Sequence, residues 1–374
     1  MKVSEVFNLQ MGKTPSRKNP SYWNNGDHDW VSIKDLGSYG RYVGHTKETI
    51  SELGRMESGI KPVPAGTLLM SFKLSLGKTA ITTKQTYTNE AIMAFLDKGC
   101  YQFDLGYMWH QFRSKDWTEG TNIAVMGKTL NKQTLCKAMI RLPELREQEN
   151  ISTLLDKAQE QLAIAETMQV KLDTLVKSRF VEMFGSCTRY VSLADVCCFR
   201  SGKTLPKSNE MPSGDYLYAK VGDLNLPGNE RVIKSSRSYV NADIAKNLIP
   251  KGAVVFPKRG GAISTNKKRV TARDCCLDLN LMAVIPGEQI CTEYLLAWFD
   301  QMDLAEIANG SAVPQINNKD LEPLIIPLPQ MEAQQEFASF VAEVDKSRFV
   351  VRLLMGKYND AMTAIENFIT RQGG

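Results

Sequence analysis

The sequence predicts an α+β fold made of two copies of one plan, in which two mixed α/β domains are separated by two long helices that pair as an antiparallel coiled coil. Three observations predict it. Segments of the first half recur in the second half, two long stretches carry apolar residues at heptad spacing, and short runs of β-branched and aromatic residues fill the remaining regions. The repeat also predicts a pseudo-twofold relation between the copies.

The internal repeat is carried by separated segments of the chain. Residues 142–148 recur as residues 328–334, an offset of 186 residues, and the same offset places Leu135 over Leu321. Half of the 374 residues is 187, so two copies fill the whole chain. A single offset shared by several segments indicates a duplication, because chance matches of short motifs would scatter.

Each copy opens with a domain of mixed composition, predicted at 1–143 and 186–327. The strand-like runs in these domains are 30–33, 67–72, 253–256 and 281–285. Gly, Pro and Asn separate the runs, which favours short, irregular strands over a regular meander.

Each copy closes with a long helix, predicted at 144–185 and 328–374. Apolar residues follow 4-3 spacing in both, interrupted by Gln169 in the first helix and by Arg348 in the second. Such spacing over several heptads is typical of a coiled-coil seam, although each helix packing on its own domain is the alternative. The side chains predicted to pair the helices are Ile151, Leu155, Ala158, Leu162, Leu172, Val176, Val341, Val344, Val351, Met355, Tyr358 and Met362.

The ends of these helices carry their own signals. Both are predicted to begin at a proline, Pro143 and Pro329, since the first turn of a helix does not need that N–H. Gly185 is predicted to end the first helix, because glycine accepts the left-handed conformation common at that place.

Composition narrows the class of protein. Hydrophobic residues make up 43% and charged residues 23% of the chain, and no apolar run is long enough for a membrane span. With no export signal at the N-terminus, we predict a cytoplasmic protein whose eight cysteines are reduced thiols. The two domains carry net charges of +7 and +2, and the helices carry −3 and −1. This distribution suits nucleic acid on the domains and protein on the helices.

Motifs for catalysis are incomplete. Gly-Lys-Thr occurs at 12–14, 77–79, 127–129 and 202–204, but none has the glycine five positions earlier that a phosphate-binding loop needs. The segment 19–22, Asn-Pro-Ser-Tyr, resembles the Asn-Pro-Pro-Tyr motif of adenine methyltransferases, but its third residue is serine instead of proline. Three histidines and no Cys-x-x-Cys pair leave little for metal or acid–base chemistry, so we predict no metal site. With the catalytic motifs missing as well, the chain is predicted to be no enzyme.

Two basic clusters are candidates for DNA contact. One is a turn-rich loop at 12–23, with a counterpart that begins at 202, and the other lies at 258–269. Cations and hydroxyls suit phosphate oxygens, and Arg, Lys and Asn also pair with base edges, although an ordinary solvated loop is the alternative. The predicted DNA-binding residues are Lys13, Thr14, Ser16, Arg17, Lys18, Tyr22, Trp23, Lys34, Lys73, Lys78, Lys203, Lys207, Lys220, Lys258, Arg259, Asn266, Lys267, Lys268 and Arg269.

The segments 12–23 and 30–36 resemble the opening of a target-recognition domain in type I restriction-modification specificity (S) subunits. Ile-Pro-Leu-Pro at 326–329, followed by a glutamine-containing helix start, resembles the conserved spacer region of that family. The resemblance covers nearly the whole chain in the order recognition domain, helix, recognition domain, helix. The second copy departs from it, because Leu205 precedes Pro206 and no Tyr-Trp follows.

The resemblance implies a DNA-binding subunit with no catalytic centre, whose recognition domains each read one part of a bipartite double-stranded DNA target. It implies that the helices bind two adenine-N6 DNA methyltransferase subunits and that two restriction/translocase subunits can join. S-adenosylmethionine, ATP and Mg are then expected on partner subunits, with none in this chain. DNA methylation would need the target base flipped from the duplex by the partner.

Two rival functions stay open from sequence alone. One is a non-catalytic nucleic-acid-binding or adaptor protein outside restriction-modification, which steep salt dependence and competition by one bipartite duplex would test. The other is a methyltransferase or nuclease in its own right, against which the missing cofactor loop speaks. The target sequence itself follows from no linear motif in the chain.

Overall fold

A computed structural model of the chain describes residues 1–73, 75–117, 130–310 and 313–371, without the side chains of residues 24 and 25. The described chain forms two compact units. The first unit comprises Met1–Ala165 with Leu353–Gly374, and the second comprises Glu166–Arg352. The Gly-Lys-Thr motif at 127–129 lies outside the described residues, and the domain limits drawn from sequence stay a prediction.

Within its described residues, the first unit contains seven strands and parts of two long helices. Its strands are β1 (Phe7–Met11), β2 (Trp23–Val31), β3 (Glu48–Ile50), β4 (Leu68–Ser71), β5 (Thr79–Ile81), β6 (Tyr87–Thr88) and β7 (Ile92–Asp97). Its helices are α1 (Val3–Val6), α2 (Ile33–Leu36), α3 (Glu52–Ser58), α4 (Leu105–Ser114), α5 (Lys132–Lys137) and the first half of α6 (Leu145–Phe184). A 3₁₀ turn covers Pro20–Tyr22.

Two small sheets organise the first unit. Strands β1-β7-β4-β5 form an antiparallel sheet in that order, and β3-β2-β6 form a second, mixed sheet in which β2 is antiparallel to β3 and parallel to β6. Helix α4 lies against β4 and β5, and Phe7, Phe95 and Phe112 meet edge to face beneath it with ring centroids 4.8 to 6.1 Å apart. Aromatic burial of this kind supplies much of the stability of a small core.

The second unit repeats these elements with small additions. Its strands are β8 (Tyr190–Ser192), β9 (Cys197–Ser201), β10 (Tyr216–Ala219), β11 (Val232–Ile233), β12 (Tyr239–Val240), β13 (Val254–Pro257), β14 (Arg269–Thr271), β15 (Cys275–Leu277), β16 (Leu281–Pro286) and β17 (Ile325–Pro327). Its helices are α7 (Leu193–Val196), α8 (Thr292–Phe299), α9 (Leu304–Ile307), α10 (Asn318–Leu321) and the first half of α11 (Met331–Thr370), with 3₁₀ turns at Lys207–Asn209, Val221–Asn225 and Gly260–Thr265.

The sheets of the second unit confirm the repeat. Strands β11-β14-β13-β16-β9 form one sheet, β12-β10-β15 another, and β17 pairs with β8. Leu69 on β4 lies opposite Ala94 on β7, and Val255 on β13 lies opposite Ala283 on β16, which is the same register in both copies. Helix α8 lies against β13 and β14 as α4 lies against β4 and β5.

The long helices pair within each unit. In the first unit, Ile151 and Leu155 from the start of α6 share a core with Ile369 from the end of α11. In the second unit, Val176 from the end of α6 shares a core with Val341 from the start of α11. The start of one helix meets the end of the other, so the predicted antiparallel coiled coil and the α+β fold class are confirmed.

The predicted seam residues fall on the buried side of both helices. Ile151, Leu155, Ala158, Val176, Val341, Val344 and Val351 are buried, and Leu162, Leu172, Met355, Tyr358 and Met362 are partly buried. Phe180 and Phe184, which the heptad pattern did not single out, add an aromatic cluster against Tyr294, with ring centroids 5.2 and 4.8 Å away.

The two polar residues that interrupt the heptads meet each other in the second unit. Gln169 Nε2 donates to the backbone carbonyl of Arg348 at 3.1 Å. Arg348 is 2% exposed, and its guanidinium donates to Asp173 and Asp345, both at 2.6 Å. A buried charge costs little only when it is paired in this way, and a polar layer of this kind fixes the register of two helices.

Some predicted boundaries were wrong by one or two residues. The helices begin at Leu145 and Met331, two residues after the prolines, because the proline carbonyls are used by glutamine side chains described below. The strand-like run at 30–33 splits, since β2 ends at Val31 and Ser32 caps α2. Gly185 follows the last residue of α6, as predicted.

Candidate nucleic-acid interface

A glycine marks the point where each predicted DNA-binding loop leaves its sheet. Gly12 follows β1 and Gly202 follows β9. A Cβ added at Gly12 would lie 2.2 Å from the carbonyl oxygen of Thr88, and one at Gly202 would lie 2.0 Å from that of Asp278. Neither position has room for a side chain, so the loop begins at a fixed place in both copies.

An aromatic side chain holds the next residue of each loop. Trp30 Nε1 donates to the carbonyl of Lys13 at 3.1 Å, and the Tyr218 hydroxyl donates to the carbonyl of Lys203 at 3.0 Å. Both rings are 1% exposed and belong to equivalent strands, β2 and β10. Burial of the ring raises the pKa of Tyr218 to about 12, so this hydroxyl stays a donor at neutral pH.

The loop at 12–23 is ordered by its own side chains. Trp23 is 7% exposed, and its Nε1 donates to the carbonyl of Ser16 at 3.2 Å. The Arg17 guanidinium lies 3.7 Å above the Trp23 ring and donates to Glu48 at 3.0 Å. Trp23 therefore supports the loop from below, whereas Arg17, with 51% of its side chain exposed, is presented at the surface.

Three glutamates that sequence reasoning missed bind this loop. Besides the pair of Arg17 with Glu48, Thr14 donates to Glu90 and the Tyr22 hydroxyl donates to Glu57. These partners lie 31 to 76 residues away along the chain, so no local spacing signals them. They orient the loop and reduce its net positive charge.

The two basic segments of each copy leave the sheet at the same edge. Ser201 at the end of β9 and Pro257 at the end of β13 lie opposite Met282 and Leu281 of the strand between them, β16. Lys258 Nζ then reaches across to donate to the hydroxyl of Ser201 at 2.8 Å. Strands β1, β7 and β4 have the matching arrangement in the first copy, with Lys73 beyond β4.

The basic cluster at 258–269 is partly internal. Lys268 is 5% exposed, and its Nζ donates to the carbonyl of Met302 at 2.8 Å and to Asn266 at 2.7 Å. Arg269 donates to the carbonyl of Leu224 at 3.2 Å, and burial lowers the pKa of both cations. The prediction that Lys268 and Arg269 contact DNA is not supported by this placement, because their donors face the interior.

Three partly buried lysines of the second copy, Lys220, Lys258 and Lys267, have neighbours within that copy. Lys220 lies 2.5 Å from Glu210, and their hydrogen bond lowers the pKa of that carboxyl. Burial, together with the neighbouring Arg259, lowers the pKa of Lys258. Lys267 donates to the side chain of Asn225.

The exposure of the predicted residues separates them into three groups. Lys13, Ser16, Arg17, Lys18, Lys34, Lys78, Lys203, Lys207, Arg259 and Asn266 are exposed. Thr14, Tyr22, Lys73, Lys220, Lys258, Lys267 and Arg269 are partly buried, and Trp23 and Lys268 are buried. The exposed group includes the segment Ser16–Arg17–Lys18 and both lysines that follow the sheet-leaving glycines.

Two buried glutamines, one per long helix, join each helix to the domain before it. Gln148 Oε1 accepts from the backbone N–H of Asp104 at 3.0 Å, and Gln334 Oε1 accepts from that of Cys291 at 2.9 Å. Both side chains are 0% exposed. Their Nε2 atoms donate to the proline carbonyls just before the helices, at 2.7 and 3.0 Å. The repeated Leu-Pro…Gln motif was the signal for this joint.

The described residues contain free cysteines but neither a metal-holding cluster nor a membrane-spanning helix. Across 1–73, 75–117, 130–310 and 313–371, no group of His, Cys, Asp and Glu is arranged to hold a metal ion. All eight cysteines are free thiols, and burial raises the pKa of Cys197 and Cys275 to about 12. No helix in these ranges has the length and apolarity that crossing a bilayer requires.

Comparison with known proteins identifies the family to which both copies of the repeat belong. The family model of the type I restriction modification DNA specificity domain matches residues 1–173 and again residues 188–349. The chain belongs to this family. The double match coincides with the two copies of the repeat, and it makes the protein a DNA specificity subunit of a type I restriction-modification system.

Relatives in two distant organisms match over most of their length. The chain is 22% identical to the type I restriction enzyme MjaIX specificity subunit of Methanocaldococcus jannaschii, covering 91% of this chain and 85% of that one. It is 24% identical to the EcoprrI specificity subunit of Escherichia coli, covering 92% and 86%.

Solved structures share the fold. A structure of the type I R-M system, described in terms of complex assembly and conformational transition, superposes with a TM-score of 0.67 at 18% identity, covering 99% of this chain and 97% of the other. The S subunit of a type I restriction-modification system from M. genitalium gives 0.59 at 13% identity, covering 100% and 96%.

Proposed function

We propose that the chain is a non-catalytic subunit that recognises a bipartite double-stranded DNA target, with one half-site for each recognition domain. The observation that carries this is the repeated sheet edge, where a lysine-bearing loop leaves the sheet beside a second basic segment in both copies. The backbone frame is the same, whereas the side chains on it differ. Two domains of one fold that recognise different base sequences need a common backbone with different side chains on it.

Within each edge, we assign the exposed lysines to phosphates, and Arg17 together with the polar side chains beside them to bases. Arg17 is the strongest candidate for base contact, because its guanidinium is already fixed on Trp23 and Glu48. A preorganised arginine loses little side-chain entropy on binding and pairs with guanine in a bidentate manner. Lys18 and Lys207, which are exposed, suit the phosphate backbone.

We further propose that the two long helices dock two adenine-N6 methyltransferase subunits. Equivalent positions on the helices expose apolar side chains: Ile164 and Met168 on α6, and Val350 and Leu354 on α11, are 43% to 53% exposed. Each pair follows i,i+4 spacing, which places both members on one helix face. Exposed apolar side chains repeated in this way fit two copies of one partner. S-adenosylmethionine, ATP and Mg would be supplied by the partners, together with base flipping.

The length of the helices would then set the number of unread bases between half-sites. Each helix has 40 residues, or about 60 Å at 1.5 Å per residue. We expect that inserting one heptad into both α6 and α11 changes the gap in the methylated sequence and leaves both half-sites unaltered. Methylome sequencing of cells carrying the complex measures this directly.

A matched control places the same seven residues in only one helix, which should disrupt the pairing and abolish methylation. The proposal fails if the double insertion methylates the target with its original gap. It fails in a different way if the unaltered complex methylates no bipartite sequence at all.

A further inference from the structure

Arg41 connects the first recognition domain to α6 within the first unit. Its NH1 donates to Asp156 Oδ2 at 2.8 Å, and its NH2 bonds to the other carboxylate oxygen. His110 on α4 completes the group, with Nε2 2.7 Å from Asp156 Oδ1 and 2.9 Å from the Arg41 NH2. The Arg41 side chain is 20% exposed and lies 4.7 Å from the ring of Trp109. A bidentate, half-buried pair of this kind is directional and stronger than an exposed one.

Arg231 makes the corresponding connection to α11 within the second unit. Its Nε lies 3.5 Å from Asp345 Oδ1 on α11, and its NH1 lies 3.9 Å from Asp300 Oδ2, just after α8. The side chain is 22% exposed, close to the value for Arg41. No bidentate contact forms here, so this attachment is looser than that of Arg41.

The two arginines occupy the same place in the fold. The Arg41 carbonyl accepts from Ile81 N on β5, and the Arg231 carbonyl accepts from Val270 N on β14, both at 2.8 Å. Ile81 faces Leu68 on β4 as Val270 faces Val254 on β13. These strands are equivalent in the repeat, so the arginine positions are equivalent too.

Their carboxylate partners are not equivalent. The offset of 186 residues would place the partner of Arg231 at Ala342, whereas the carboxylate that it meets is Asp345, about one turn further along α11. The contact is therefore present in both copies although the sequence around the acid is not repeated. Asp345 Oδ1 also accepts from Arg348 NH1 at 2.6 Å, so the attachment in the second copy shares its acid with the polar layer between the helices.

We propose that Arg41 and Arg231 are positioning residues that fix the angle of each recognition domain on its helix and thereby the gap between the two half-sites. This rests on the proposed function, since it presupposes a bipartite DNA target.

The geometry supports the view that these arginines fix the angle of a recognition domain on its helix and do not serve mainly to attach it. Gln148 already joins the first domain to α6, and Asp156 lies eight residues further, about 12 Å along the helix axis. One joint acts as a pivot, and a second directional contact two turns away removes the rotation. Apolar contacts between the same elements resist separation, but they tolerate small rotations because they are not directional. Although burial raises it, bonds from Arg41 and His110 hold the pKa of Asp156 below its usual value, so this carboxylate is charged at neutral pH.

The test uses the complex of this chain with its methyltransferase partner and a set of DNA targets. The bipartite sequence that the wild-type complex methylates is identified first. DNA targets are then made in which the gap between the half-sites is one base pair shorter or one base pair longer. For Arg41→Met we expect the preference for the native gap over the altered gaps to fall about tenfold, the loss that corresponds to one directional charged contact. Arg231→Met should lower it about threefold, because its contacts are longer.

Arg55→Met is the matched control. Arg55 pairs with Glu52 within the first recognition domain, so the substitution removes the same charge without touching a long helix. It should leave the gap preference unchanged. Arg41→Lys keeps the charge but loses the bidentate geometry, so it should restore only part of the preference, whereas a role in overall charge predicts full recovery.

The outcomes distinguish this inference from the proposed function. If the wild-type complex methylates a bipartite target and the gap preference of Arg41→Met equals that of wild type, or equals that of Arg55→Met, the positioning role is wrong. If Arg41→Met does not fold, Asp156→Asn, which weakens the same pair with a side chain of equal size, decides by the same comparison. A wild-type complex without a bipartite target overturns the proposed function instead.

Discussion

The two recognition domains have one backbone frame and two different surfaces. In the first, the loop after β1 is held by two tryptophans and three glutamates, with Arg17 stacked on Trp23. In the second, the loop after β9 is held by one tyrosine, Tyr218, and the principal ion pair beside it joins Lys220 to Glu210. The backbone contacts of the frame are retained, whereas side-chain contacts at the surface are not. Under the proposed function, this divergence at one sheet edge would give a single scaffold two specificities.

The largest expected effect tests whether the frame is the same in both copies. Gly12→Ala and Gly202→Ala should each lower the free energy of unfolding by about 3 kcal/mol, because the added Cβ would overlap a backbone carbonyl oxygen. Chemical denaturation of the chain measures this. Gly40→Ala and Gly261→Ala, where the added carbon has no neighbour within 4 Å, should be close to neutral. A large loss in one copy alone would show that the frames differ.

The glutamine joints provide a second comparison. Gln148→Ala and Gln334→Ala should each lower the free energy of unfolding by about 2 kcal/mol, since each leaves partly buried backbone groups without partners. Gln334 should cost more, because its Nε2 also donates to the carbonyl of Gln289 at 3.0 Å. Gln161→Ala and Gln335→Ala, exposed on the same two helices, are the controls in the same denaturation experiment. If the buried and the exposed glutamines lose equal free energies of unfolding on substitution, Gln148 and Gln334 do not act as joints.

A third comparison concerns a surface lysine and an internal one. In the full complex, Lys18→Ala should reduce the slope of log affinity against log salt by about 1, as expected for one phosphate contact. Lys268→Met should leave that slope unchanged and lower thermal stability, because its amine is bound to the carbonyl of Met302. Fluorescence anisotropy with the bipartite duplex at several salt concentrations separates them. A change of slope for Lys268→Met would restore it to the DNA interface.

The smallest expected effect is a pH dependence confined to the first unit. Burial lowers the pKa of His110, and the charge of Arg41 adds to this, while the bond to Asp156 opposes it. The unfolded chain therefore takes up this proton first as the pH falls below about 6.5. The stability that the neutral ring contributes is present above that pH and is lost as the pH falls through the folded pKa. Between pH 7 and 5, the melting temperature of wild type should fall more steeply than that of His110→Gln. If the two curves of melting temperature against pH run parallel, His110 is not the source of this pH dependence.

Much of the fold was predictable from sequence because repetition and heptad spacing are periodic signals. The heptads indicated the seam, and even its interruptions at Gln169 and Arg348 were visible, although their meeting was not. The short strands β3, β6, β11 and β12 carry no such period, because two or three residues show no alternation.

The candidate interface was predictable by residue type and less so by orientation. Charge density indicated the cluster at 258–269, but the direction of Lys268 depends on the carbonyl of Met302, which lies 34 residues away. The arginines at 41 and 231 carry no motif at all. Their equivalence appears only once the strands that they bond to are known.

The glutamine joints leave the recognition domains free to change. The side chains of Gln148 and Gln334 bond only to main-chain atoms, and the residue whose N–H they bind differs between the copies, Asp104 in one and Cys291 in the other. A joint that depends on backbone shape and ignores side-chain identity makes no demand on the surface sequence that it carries. Foreign recognition modules with the same turn before their short helix should therefore attach to these helices through the same joint, without a change in the glutamine that holds them.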